Sequence, residues 1–92
     1  DDYELPPKLN DLPLMGAGVL SWRDRRVSMV CLDSKRKGML FLFVVDTSSL
    51  KAPPLQQEVA PVGSLNTVSW TAGGKTYLLA GSLEKEELTQ LL

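Results

Sequence analysis

The chain has 92 residues and a formal net charge of −1, with ten Lys and Arg against eleven Asp and Glu. It has no histidine and one cysteine, which excludes a Ser–His or Cys–His nucleophile pair, a His metal ligand, an intrachain disulfide and a thiolate zinc site. Balanced charge with 43% hydrophobic residues marks a chain that folds, and the length suits one domain with a modest core.

No run of about 18 apolar residues marks a bilayer span, and no basic segment followed by an apolar one marks a signal peptide. The first residue is Asp1 rather than Met, so the expectation is the soluble part of a larger protein.

Residues 1–13, DDYELPPKLNDLP, are expected to form a linker or loosely docked arm. Pro6, Pro7 and Pro13 disfavour helix, and Asp1, Asp2, Glu4 and Asp11 keep the segment solvated. Leu5, Leu9, Leu12 and Leu14 are placed to tack part of it onto a core. Residues 14–92 are expected to form the domain. A first strand is read at 18–22, GVLSW, and a second at Arg26–Leu32, where Val27, Met29 and Cys31 share one face. After the polar turn Asp33–Gly38, Met39–Val45 is the most apolar run in the chain. It is too short for a buried helix and fits a central strand covered on both faces.

Residues 46–64 hold Pro53, Pro54 and Pro61 and read as a long loop, with a turn of helix near Leu55–Val59. Leu65–Thr71 and Thr76–Ala80 read as a hairpin around Gly73 and Gly74. Ser82 is placed to cap a C-terminal helix from Leu83, whose Leu88, Leu91 and Leu92 share one face. Short turns imply antiparallel neighbours. The expected fold is α+β, a curved antiparallel sheet of about five strands with the C-terminal helix packed on one face. The expected core holds Phe41, Phe43, Leu40, Leu42, Val30, Leu32, Val68, Trp70, Leu79 and Leu88, with Tyr77 a further structural position. Phe41→Ala is expected to cost about 3–5 kcal/mol.

Three stretches carry a family resemblance: LPLMGAGVLSW at 12–22 leading into the second strand, MLFLFVVD at 39–46, and TVSWTAGGKTYLLAG at 67–81 followed by the C-terminal helix. Together they resemble the extracytoplasmic C-terminal domain of membrane-anchored anti-sigma factors. Trp70, Gly74, Tyr77, Leu79 and Gly81 match hairpin and core positions of that family, not a catalytic signature. Family members usually bind the sigma factor through a cytoplasmic N-terminal segment with a His-x-x-x-Cys-x-x-Cys zinc motif. That motif is not in this sequence. The resemblance therefore implies the outer-face module alone, on the periplasmic side of the inner membrane, in a membrane-anchored parent. It implies no enzyme activity, no cofactor and no metal, and a role in sigma-factor release through a protein partner.

Other candidate sites have plainer explanations. Cys31, among Val27 and Met29, fits a packed thiol better than a reactive one. Arg23, Arg25, Arg26, Lys35, Arg36 and Lys37 belong to turns at opposite ends of a meander, so they form no single face for nucleic acid. Glu84, Glu86 and Glu87 suit the first turn of a helix. Gly73–Thr76 recreates the end of a phosphate loop, but Ser69 stands where the leading Gly is required. Trp22, Trp70 and Tyr77 fit packing before ligand binding. The 46–64 loop is the best candidate interaction element, through Pro53, Pro54, Leu55, Val59 and Pro61. An acid/base enzyme would need a deep polar pocket uniting Asp33, Asp46 and Lys75. The other reading is a small stand-alone interaction module that dimerises or binds a peptide by adding a strand, with a homodimer as one form.

Overall fold

The computed structural model describes residues 3–92, so Asp1 and Asp2, read above as solvating acids, lie outside the described residues. The chain is mainly β. Six strands form one open antiparallel sheet: β1 Leu14–Trp22, β2 Arg25–Asp33, β3 Met39–Asp46, β4 Glu58–Val62, β5 Leu65–Ala72 and β6 Lys75–Gly81. Their order across the sheet is β1-β2-β3-β6-β5-β4. Two short helices flank them, α1 Pro7–Asn10 and α2 Lys85–Thr89. The apolar runs β3 and β6 pair at the centre, from Leu40 opposite Gly81 to Asp46 opposite Lys75.

Several expectations are corrected. The sheet has six strands rather than about five, because residues 58–62 leave the expected loop and pair with β5. That pairing also replaces the helical turn expected near Leu55–Val59; the helical turn in this connection is instead a 3-10 turn at Thr47–Ser49. Pro61 is tolerated because β4 is an edge strand, where a missing N–H costs no ladder bond on the open side. β1 begins at Leu14, before the expected 18, with a bulge between Leu14 and Gly16. The arm contains helix α1, with Pro7 at its first position, where a missing donor is harmless. Helix α2 starts at Lys85, and Glu84 rather than Ser82 is its N-cap, in a capping box with Glu87.

The core lies on one face of the sheet. Leu32, Leu40, Leu42, Val68 and Leu79 project there and are fully buried, covered by Leu9 of α1, Leu88 of α2 and Leu83. The N-terminal arm and α2 are tied together, with Lys8 Nζ donating to the Gln90 carbonyl at 2.8 Å. Trp70 and Tyr77 sit opposite each other on β5 and β6 and stack with centroids 5.1 Å apart. Gly81 lets the strands close over the core: a Cβ there would meet Leu40 Cδ2 at 2.6 Å. Phe41 and Phe43, expected in the core, point to the opposite face and are only half-buried, as is Trp70 at the core's margin. The central strand is thus covered on one face, not both.

Candidate functional site

The second face is where the remaining apolar side chains collect. Strand alternation puts Leu40, Leu42 and Val44 on the core side, so Phe41, Phe43 and Val45 must face away. The register then aligns like with like. Met29 stands opposite Phe43, Cys31 opposite Phe41, and Phe43 opposite Leu78. One small helix and one arm cover the core face, and neither is left to cover this one.

What does reach it is the connection after β3. The Thr47 backbone N–H donates to the Gly74 carbonyl at 2.9 Å, and its hydroxyl lies 3.1 Å from that of the buried Thr76. Thr76 also pairs with Thr71 at 3.0 Å. These bonds anchor the start of the connection to the β5–β6 hairpin. The following residues then arch over the sheet, and Leu50 and Pro54 form one wall of a groove. Leu20, Val27, Phe43 and Leu78 contribute to the rest of a cavity of about 610 Å³. The polar residues along it are Ser21, Ser69, Thr76 and Tyr77, the last with its ring turned to the core side against Trp70. What such an apolar lining offers a partner is the removal of apolar surface from water.

The residues singled out in the sequence fall as follows. Pro54 lines the groove, Pro53 is half-buried, and Leu55, at 95% exposure, projects from the tip of the arch. Val59 and Pro61 are exposed on edge strand β4, apart from that tip. Asp46 pairs with Lys75 across β3 and β6, whereas Asp33 stands at the opposite end of β3, so the three do not converge. Cys31 is half-buried on the open face. Arg23 lies over the Trp22 ring at 5.1 Å, in the β1–β2 turn, and Arg36 in the β2–β3 turn pairs with Glu87 of α2 at 2.8 Å. The Arg36 hydrogen bond, together with the Glu84 backbone N–H, holds the Glu87 carboxyl below its ordinary value, against a small opposing effect of desolvation. Among the described residues, no cluster of three or more His, Cys, Asp or Glu side chains is placed to hold a metal ion, and no helix is long and apolar enough to cross a membrane.

Leu20, Val27, Leu50 and Leu78 were not singled out as site residues. Only Val27 lies in the stretches 26–32 and 39–45, whose double apolar alternation signals the open face by asking for two covered faces where the chain supplies cover for one. Comparison with family models, curated proteins and solved structures finds no match to this chain.

Proposed function

We propose that this chain is a non-enzymatic regulatory module that works by protein contact, the outer-face domain of a membrane-anchored anti-sigma factor. The contact is carried by one observation: a groove of about 610 Å³ on an apolar sheet face that the chain itself leaves open. Exposed apolar patches rimmed by polar residues mark protein, membrane or ligand contact sites. The regulatory assignment is supported by the resemblance of 12–22, 39–46 and 67–81, whose Trp70, Tyr77 and Gly81 hold the hairpin together.

In this reading the sigma factor is held by a cytoplasmic segment of the parent, across a membrane helix. The present residues face the periplasm, and a protein partner on the open face governs release. The arch from Leu50 to Pro54, with Leu55 exposed beyond it, is the element such a partner meets first.

The reading frame upstream of Asp1 tests this directly. About 20 apolar residues just before Asp1, preceded by a His-x-x-x-Cys-x-x-Cys segment, are expected. A start codon or a cleaved signal peptide at that point overturns the membrane-regulator reading. In the parent protein, deletion of residues 14–92 is expected to change when a sigma-dependent reporter switches on; an unchanged response to every stress tried removes the regulatory role.

A further inference from the structure

The two edges of this sheet are managed differently. Edge strand β4 is short and carries Glu58 and Pro61, both of which deter pairing with another chain. Edge strand β1, LMGAGVLSW, has neither a charge nor a proline over its nine residues. It exposes a row of backbone donors and acceptors on the side away from β2. Five of the protein's large exposed apolar side chains also sit on it: Leu14, Met15, Val19, Leu20 and Trp22, each between 44% and 64% exposed. A long apolar edge without such deterrents is a template for another strand.

Of the two glycines on that edge, Gly16 adjoins the bulge, and Gly18 has no explanation within the monomer. Gly16 and Gly18 have ordinary strand dihedrals, and a Cβ built on either meets nothing within 4 Å. Glycine inside a strand weakens it, and its usual reasons are a bulge, as beside Gly16, a tight bend, or close approach of a ligand or another backbone, the one left for Gly18. Both glycines share the open face with Leu20 and Trp22, since Gly16, Gly18 and Leu20 stand opposite Cys31, Met29 and Val27.

We infer that β1 is a self-recognition edge, through which two copies of this chain pair antiparallel about a twofold axis at Val19. The register follows from the strand itself. The bulge ends the regular ladder at Gly16, so the regular stretch is Gly16–Trp22 and its midpoint is Val19. Pairing about that midpoint sets Gly16 opposite the partner's Trp22 and Gly18 opposite the partner's Leu20. Each large side chain then lies over a glycine of the other copy, the arrangement in which an aromatic shields an edge glycine. This match of small to large within one strand is what selects a second copy over an unrelated peptide. Covering these five side chains fully in both copies removes on the order of 1,000 Å², the lower bound for a specific interface. The twofold also keeps both open faces on the same side of a continuous twelve-stranded sheet, six strands from each copy.

Leu20 and Trp22 belong to both the edge and the groove lining, but Val19 at the axis does not line the groove, so its variants test the inference apart from the anti-sigma reading. The test is sedimentation equilibrium of the chain from micromolar to millimolar concentration, with circular dichroism to check folding. The wild-type chain is expected to approach twice its 10.1 kDa mass. Val19→Lys and Val19→Glu each place like charges opposite one another at the axis, and each is expected to raise the dimer Kd at least about fivefold. Val19 is half-exposed, so the monomer accommodates either side chain. An equimolar mixture of the two variants is expected to recover the dimer, and Leu78→Lys, on the groove, to leave it unchanged. A wild-type chain that stays monomeric overturns the inference. So does a dimer indifferent to both Val19 variants, one not recovered by mixing, or one lost through Leu78→Lys.

Discussion

Arg23 and Asp24 make the two-residue turn between β1 and β2, and both have positive φ, 50° and 62°. A type I′ hairpin turn requires positive φ at both central residues, and Asn-Gly is the pair that adopts it without strain. Here two side-chain-bearing residues occupy the positions, and Arg23 gains partial recompense by lying over Trp22 at 5.1 Å. Asp24→Gly keeps that contact and relieves the second residue, so it is expected to stabilise the fold by about 1 kcal/mol in a urea titration. A lower midpoint would contradict the turn geometry. The two faces of β3 offer a sharper contrast between neighbours. Leu42 is fully buried, and Leu42→Ala is expected to cost about 2–5 kcal/mol. Phe43, half-exposed on the groove, is expected to cost about 1–2 kcal/mol as Phe43→Ala, despite the larger side chain. If the phenylalanine proves the costlier of the two, the core lies on the other face. The larger figure first expected for Phe41→Ala assumed a buried ring, which Phe41 is not.

Among the elements, α2 is only five residues long and depends on what holds its start. Glu87 accepts hydrogen bonds from Arg36 and from the Glu84 backbone, and these hold its carboxyl below the ordinary value. A depressed folded-state carboxylate contributes stability at pH above its unfolded value, and that contribution disappears as pH falls through the folded one. Thermal stability is therefore expected to fall below about pH 4.5, and Glu87→Gln to flatten that part of the profile while lowering stability at neutral pH. An unchanged acid profile in Glu87→Gln would mean that the pair with Arg36 does not form in solution. The acids of this helix were legible in the sequence as first-turn residues, but their partner was not, because Arg36 is 51 positions away along the chain. The same division runs through the sheet. β2, β3, β5 and β6 declare themselves by alternation and turn residues. β4 does not, because Glu58, Pro61 and uniform exposure look like loop until β5 is beside them. The groove was hidden for a related reason: alternation shows that β3 has two apolar faces, but only the count of covering elements shows which one stays open.

At the scale of the whole molecule, the sheet is asymmetric, with its cover drawn from both ends of the chain. The N-terminal arm looks like a linker by composition, yet Leu9 is completely buried, and Tyr3, Leu5 and Leu12 pack against the same core. The radius of gyration, 12.5 Å, is that of a chain folded throughout, about 12 Å for this length. Three prolines do not prevent this. Pro7 starts α1, and Pro13 accepts a hydrogen bond at its carbonyl from the Asp33 backbone N–H at 3.0 Å, which feeds the arm into β1. The arm thus closes the core face, whereas on the other face the arch through Leu50 and Pro54 walls only one side of the groove. If it is structural cover, Leu9→Ala should cost as much as Leu42→Ala, about 2–5 kcal/mol by urea titration, although the residue lies outside the sheet. It should also unmask apolar surface on the core side, read as increased binding of an apolar dye to the native state. If the arm is instead a tether that happens to lie nearby, the substitution changes stability by less than about 0.5 kcal/mol, as an exposed leucine would. A stability far below the expected range of about 5–15 kcal/mol for a domain makes the first outcome visible even as partial unfolding at room temperature.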